Sequence, residues 1–419
     1  MPGTYNPDRI PAMKIRSITC FIDPSYPVNE QKLKIAGDFL QIARPAFIDA
    51  GYEVQSSRLA SVPFPDLLAG IKPGELARLA QQLEQAAAGL GYAYVSLGPA
   101  FPEQLDQYGS ISEALAATQN VFFAGSMTTA GGEISLSAVH QCARVIQQAS
   151  TISVDGFANL RFAALANVPA GSPFFPAAYH RGGEPTFALA TEAADLAVTA
   201  FSQATHLEEG RGKLVEAMEA HGRRLANLAG EIEASSGVKF AGIDFSLAPF
   251  PQEERSLGAA MESLGVPGLG LHGSLTAAAI LAETMDRAEF PRTGFCGLFL
   301  PVLEDATLAR YVSQGSLEMK DLLLYSAVCG TGLDTIPLPG DTTPAQLSAV
   351  LLDVASLSSR LGKPLTARLM PIPGKKAGDP TGFDFNYFAN CHVMSVRSAS
   401  LVSFLAGEEA FSLKPRSRQ

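Results

Sequence analysis

Apolar residues along this chain follow two alternating rhythms. Short, nearly unbroken apolar runs are separated by longer stretches in which apolar positions recur every three or four residues. The first rhythm belongs to strands buried on both faces, the second to amphipathic helices. Residues 15–23 (IRSITCFID) open as a strand, and 29–51 follow as a helix kinked at Pro45 and closed at Gly51. Further strands are expected at 52–60, 92–98, 121–127, 186–193, 240–248, 297–303, 332–338 and 365–371. Helices are expected over 74–91, 134–150 and roughly 212–235. Roughly eight to ten strands alternating with helices predict a mostly parallel sheet. No low-complexity linker and no repeat divides the chain, which favours one large α/β barrel over two tandem domains. The barrel is expected over 13–411, with a polar, proline-broken arm at 1–12 and a short tail at 412–419.

Composition narrows the class. Of 419 residues, 47% are hydrophobic and only 17% charged, below the ~25% usual for globular proteins. Much of the surface is therefore expected to be buried in the fold or in an oligomer. A net charge of −10 argues against a nucleic-acid partner. Five widely spaced cysteines with no CxxC pair match reduced, cytoplasmic usage and no metal-ribbon spacing. The N-terminal stretch has no signal-peptide pattern, and no apolar run reaches the ~20 residues of a membrane span. The expected partner is a small molecule.

Candidate chemistry sits where strand-like runs meet polar loops, since α/β sheets bind ligands beyond strand ends. Gly268, Gly270 and Gly273 spell GxGxxG, but Val266-Pro267 precedes them where a dinucleotide site needs a strand, so NAD is not expected. That loop instead feeds a helix capped by Ser274, whose amides suit an anion, with His272 at the loop edge. Ser126 and Thr129 belong to a hydroxyl- and glycine-rich loop of similar use, without a Walker ending. His180 and Glu184 stand four apart across Gly182-Gly183 and could converge as acid/base partners or metal ligands. Asp244 and Ser246 alternate with apolar neighbours and so share one side of a strand, which makes Asp244 a candidate base. Glu304, Asp305 and Asp334 end apolar runs, and Lys375 lies in a basic turn that suits an anion clamp. Each of these also has a plainer reading as turn, cap or solvated-surface chemistry. No GxSxG or HExxH occurs, and Cys296 and Cys329 have no histidine beside them.

Several ordered stretches carry a resemblance: ALANVPAGSPFFPAAYHRGGE, FAGIDFSLAPFP, HGSLTAAAIL, GFCGLFLPVLED, CGTGLDTIPLPGDT and RLMPIPGKKAGD. Over about 15–396 the chain resembles the family known as domain of unknown function 711, whose structural relatives are pyruvate formate-lyase-like (glycyl-radical-like) barrels. The resemblance implies an α/β barrel of about ten strands and a homodimer. It carries over His180, Glu184, Asp244, Ser246, His272, Glu304, Asp305 and Asp334, and it brings no reaction with it. Nothing from Arg368 onward reads as a radical-glycine loop, so no glycyl radical is expected. The segment 383–392 (FDFNYFANCH) is more aromatic than the resemblance implies and is expected to reshape the pocket.

The expectation is a non-radical enzyme acting on a small polar or anionic metabolite in the barrel mouth, a lyase or isomerase rather than a hydrolase. Asp244, His180 and His272 would handle protons, with Ser246 and Asp334 completing the catalytic set. Ser126, Thr129, Gly273, Ser274 and Lys375 would hold the anionic group. A divalent metal on Glu184, Glu304 or Asp305 is an open variant. The alternative is a non-catalytic metabolite-binding or regulatory protein built on an enzyme-derived barrel.

Overall fold

Strands that read as unbroken apolar runs need cover on both faces, and the architecture supplies it. The computed structural model describes residues 13–69, 74–328 and 330–415. The arm at 1–12, the end of the tail and Cys329 lie outside the described residues. The strands, in chain order, are β1 (Lys14–Ile22), β2 (Ser57–Pro63), β3 (Tyr94–Gly98), β4 (Val121–Ser126), β5 (Ile134–Ser135), β6 (Phe162–Ala166), β7 (Thr186–Glu192), β8 (Lys239–Asp244), β9 (Gly332–Pro339), β10 (Leu365–Ile372) and β11 (Ala410–Phe411). Nine of them form one sheet in the order β8-β7-β1-β2-β3-β4-β6-β10-β9, and β5 pairs with β11 apart from it.

The sheet is mostly parallel, as the alternation of strand and helix predicts. β1, β2, β3, β4 and β6 run parallel to one another. β7–β8 and β10–β9 are also parallel pairs, and the direction reverses only at β1/β7 and β6/β10. The run 297–303 is not a strand. It makes single parallel bridges, Leu247 with Leu298 and Pro301 with Asp334, so it lies between the far end of β8 and β9. Pro301 has no amide hydrogen to extend a ladder there.

Other boundaries shift for local reasons. The second strand starts at Ser57 rather than 52, because only Val54 bridges to β1 before that. The helix Glu30–Asp49 continues through Pro45 and is capped by Ala50, and Gly51 beyond it has a φ of +89° that suits a glycine stop. The long helix begins at Leu207 and runs to Ser236. β6 (FAALA) is too short to announce itself and follows a 3-10 turn, Phe157–Arg161. No helix among the described residues is long and apolar enough to cross a membrane.

One face of the sheet carries large side chains, including Ile18, Leu59, Leu97 and Phe123, which pack with the helices in the main core. The other face is lined by small ones. Ala60, Ser96, Ala124, Ala163 and Ala188 leave a hollow that the loop 168–180 enters. Phe175 and Ala178 of this loop pack against Phe21, Ala60, Phe122 and Ala188. Val168 and Ala177 pack against Ala124, Ala163 and Leu165. Its backbone is tied in twice, by Ser96 Oγ donating to the Ala178 carbonyl at 2.8 Å and by the His180 amide donating to the Ser61 carbonyl at 2.8 Å.

The Ser96→Ala variant leaves the buried Ala178 carbonyl short of its donor and should lose about 1–3 kcal/mol. Phe175→Ala empties the centre of the hollow and should lose about 3–5 kcal/mol. Urea unfolding checks both, and near-wild-type midpoints would show that the inserted loop does not support the sheet.

Candidate functional site: a cavity lined by arginines

The tip of the inserted loop, Pro173 to Phe175, forms one wall of a cavity of about 230 Å³. The other walls come from the first residues of three parallel strands, Arg58, Tyr94 and Phe122, and from the last residues of the opposed pair, Ala190, Thr191 and Asp244. Because the two groups of strands run in opposite directions, one end of the sheet gathers N-termini of one group and C-termini of the other. The expectation that the site lies beyond strand C-termini therefore holds only for the β7 and β8 side. Phe385 and Tyr387 from the aromatic segment 383–392 complete the enclosure.

Four guanidinium groups line the cavity: Arg16, Arg58, Arg161 and Arg368. Arg16 sits where β1 shifts register between Ile15 and Ser17. Its guanidinium donates to Glu304. Glu304 also accepts from Arg368 Nη2 at 2.9 Å, and Arg368 grips Asp334 with two bonds, at 2.6 and 2.9 Å. Burial alone would raise the Glu304 pKa, but Arg16 and Arg368 outweigh it and hold the carboxyl below the usual range. For Asp334 burial prevails and its pKa is raised, with Arg368 opposing. Arg161 is a tether: it donates to the Leu115 carbonyl at 2.8 Å and to the Val121 carbonyl at 3.3 Å. The first of these carbonyls lies in the last turn of the helix Ile111–Ala117, where a cation is favoured.

Arg58 differs from the other three. Its Nε donates to Ser56 Oγ at 2.9 Å, and its two Nη groups have no hydrogen-bond partner among the described residues. The guanidinium lies 5.1 Å from the Phe175 ring centre and 5.9 Å from that of Tyr94, so the rings hold its orientation. Burial, helped by the positive neighbours Arg16 and Arg368, brings its pKa down to about 10, which leaves it charged at neutral pH.

Asp244 and Ser246 both line the cavity, as their alternation requires. The Asp244 carboxyl is already engaged. Oδ1 accepts from Ser246 Oγ at 2.5 Å and from the Cys296 amide at 2.9 Å, and Oδ2 accepts from the Phe295 amide at 2.9 Å. Gly294 has φ +67° and its Cα packs so closely on this carboxyl that a Cβ has no room. Ser246 Oγ accepts from the Gly297 amide at 3.1 Å. The pair thus pins the loop 293–297 that leads to the bridging segment. Burial raises the Asp244 pKa against these hydrogen bonds.

The remaining candidates do not converge on the cavity. Asp305 caps two helices at once, accepting from Ser256 Oγ and from the amides of Leu257, Gly258, Thr307 and Leu308. That engagement leaves it no free side toward a metal. Glu184 is exposed, while His180 is buried with an Nε2 that has no partner among the described residues. Burial lowers the His180 pKa, with the Gly183 backbone and Asp23 pulling the other way. His272 and Gly273 lie on an exposed loop. Gly273, not Ser274, is the helix cap, and Ser274 Oγ donates back to the Leu271 carbonyl at 2.8 Å. Ser126 Oγ donates to the Thr128 carbonyl at 2.7 Å and Thr129 Oγ1 accepts from the Glu133 amide at 3.1 Å, which is turn chemistry. Lys375 lies on a half-buried turn whose carbonyl accepts from Gly340. No group of three or more His, Cys, Asp or Glu suited to a metal occurs among the described residues.

Sequence reading missed all four arginines and, apart from the segment 383–392 that contributes Phe385 and Tyr387, the cavity aromatics. A signal was present. KIRSITC, SSRLASVP and LTARLMP each place an arginine inside an otherwise strand-like run, and charged residues are seldom fully buried unless paired.

These features define an α/β protein with a cationic, aromatic-walled pocket at one end of a mostly parallel sheet. The model of the family described as Uncharacterised ACR (DUF711) matches residues 10–387, and the chain belongs to that family. It is 28% identical to a UPF0210 protein of Pelotomaculum thermopropionicum over 94% of this chain and 93% of the relative. It is 28% identical to one from Methanococcoides burtonii over 85% and 82%. A UPF0210 protein of Pyrobaculum arsenaticum is 33% identical over 64% and 61%.

Glu304→Gln would leave Arg16 and Arg368 without their shared carboxylate and should cost about 3–5 kcal/mol at pH 7. The folded pKa of Glu304 lies below the 4.5 usual for glutamate, so its stabilisation is complete above that value. It is lost as pH falls through the lower folded value. The gap between wild type and variant should therefore narrow below pH 4.5, and a gap independent of pH in thermal unfolding would contradict this assignment.

Proposed function

We propose that this chain binds a small anionic metabolite in the cavity at the end of its sheet. The observation that carries this reading is the charge of the wall. Four guanidinium groups face two carboxylates, Asp244 and Glu304. Arg16 and Arg368 are balanced by Glu304 and Asp334, and Arg161 spends its donors on backbone carbonyls and the Thr118 hydroxyl. Arg58 is in no ion pair among the described residues and keeps both Nη groups for a ligand. A cation held by aromatic rings in a mostly apolar enclosure is a suitable receptor for an anion.

The same proposal includes closure of the sheet into a ten-stranded barrel of the pyruvate formate-lyase-like type. In support, the segment 298–301 bridges to the end of the β8 chain on one side and to β9 on the other, and each group would then hold five parallel strands. Assembly as a homodimer is also part of it. The apolar side chains Val402 and Phe404 stand 76% and 83% exposed near the C-terminus, where a second copy would cover them.

A second reading, a lyase or isomerase working by proton transfer, draws on Asp244. It is a cavity-wall carboxyl whose pKa burial raises. His180 and His272 lie away from the cavity and give that reading no support. Without turnover, the same pocket serves a metabolite-binding or regulatory protein.

Native mass spectrometry of freshly purified protein is expected to find a small anion bound to wild type and absent from Arg58→Met. A bound species that is neutral, or equally retained by the variant, would overturn the anion reading. Asp244→Asn should keep ligand binding and abolish turnover of any substrate so identified. Undiminished turnover would remove the acid/base reading.

A further inference from the structure

We infer that the ligand of this cavity is a monocarboxylate with a flat apolar body of benzoate size, whose carboxylate is received by Arg58. This rests on the anion-binding reading above and names its chemical class.

The first argument is charge. With Arg16 and Arg368 matched by Glu304 and Asp334, and Arg161 turning its Nη groups to backbone carbonyls, Arg58 is the lining guanidinium whose two Nη groups both have no partner among the described residues. The fork of two Nη groups matches a carboxylate edge, with two parallel bonds. A phosphate dianion needs more than this. Phosphate sites are commonly built from glycine-rich loops and helix N-termini that present several amides. Among the described residues no glycine lines this cavity, and no lining residue lies in the first turn of an α-helix. The carboxyls of Glu304 and Asp244 in the same wall would repel a second negative charge.

The second argument is the shape and chemistry of the remaining space. Eight of the lining side chains are aromatic. Tyr94 and Phe175 flank Arg58, so a group held by that guanidinium emerges directly between rings. Phe385 belongs to the same lining, held by edge contacts to Phe157 at 5.1 Å and Phe388 at 5.1 Å between ring centres. Flat apolar ligands stack well in such a slot. Size follows from volume. A cavity of about 150 Å³ accepts benzene, so 230 Å³ accommodates roughly nine non-hydrogen atoms, the number in benzoate.

The experiment is isothermal titration of the full chain with benzoate, benzamide, acetate and inorganic phosphate, repeated on Arg58→Met and Arg58→Lys. Benzoate should bind wild type at least ~10-fold more tightly than benzamide, which lacks the charge, and than acetate, which lacks the ring. Arg58→Met should weaken benzoate by ~10-fold or more and Arg58→Lys by less, because a lysine keeps the charge but not the fork. Should Arg58→Met fail to fold, the lysine variant carries the comparison. Phosphate binding that matches or exceeds benzoate and depends on Arg58 would overturn the carboxylate class while leaving the anion reading intact. Benzamide binding as tightly as benzoate, benzoate binding unchanged in both variants, or no binding by any probe would overturn both.

Discussion

The structure depends on the hollow along one face of its sheet being filled. Ala60, Ser96, Ala124, Ala163 and Ala188 are too small to fill it, and an empty apolar hollow forfeits dispersion contacts. The loop 168–180 supplies the missing volume, with Phe175 as its largest contribution to that face. Backbone entering such a space must satisfy its own polar groups. Ser96 Oγ and the Ser61 carbonyl meet that need. The pocket is a consequence of the same insertion, since the residues that fill the hollow also present Phe174 and Phe175 to the cavity.

Charge at this end of the sheet is held by geometry rather than by solvent. Arg368 sits between Asp334 and Glu304, with its guanidinium 5.6 Å from the Phe174 ring centre, so the tip of the loop and the ion network brace each other. Asp244 extends the arrangement by pinning the loop 293–297 through two amides and Ser246. Carboxyls that look like catalytic candidates are in this way largely absorbed into fastening the site. What they leave over is a guanidinium, and it sets the proposed preference for an anion.

Much of the architecture was legible from the chain. Mostly apolar runs such as 121–127 marked buried strands, and the coincidence of Asp244 and Ser246 on one side followed from a period of two. The functional candidates were less legible. Thr129, Asp305 and His272 stood beside strand-like runs as a binding or catalytic residue would, yet the first two serve turns and caps and the third faces solvent. Side chains suited to ligands and side chains suited to helix ends are the same types, so position in the sequence does not separate them.

The sequence by itself determined the class of fold, the strand and helix rhythm, and the membership that six long ordered stretches carry, because these depend on local periodicity and on text. Only the tertiary structure decided the site. Arg16, Arg58, Arg161 and Arg368 lie as far as 352 positions apart in the chain and meet because antiparallel groups of strands bring opposite ends together. Which arginine keeps its Nη groups free for a ligand is a property of that meeting. Pairing depends on distances between side chains, and no pattern along the chain encodes them.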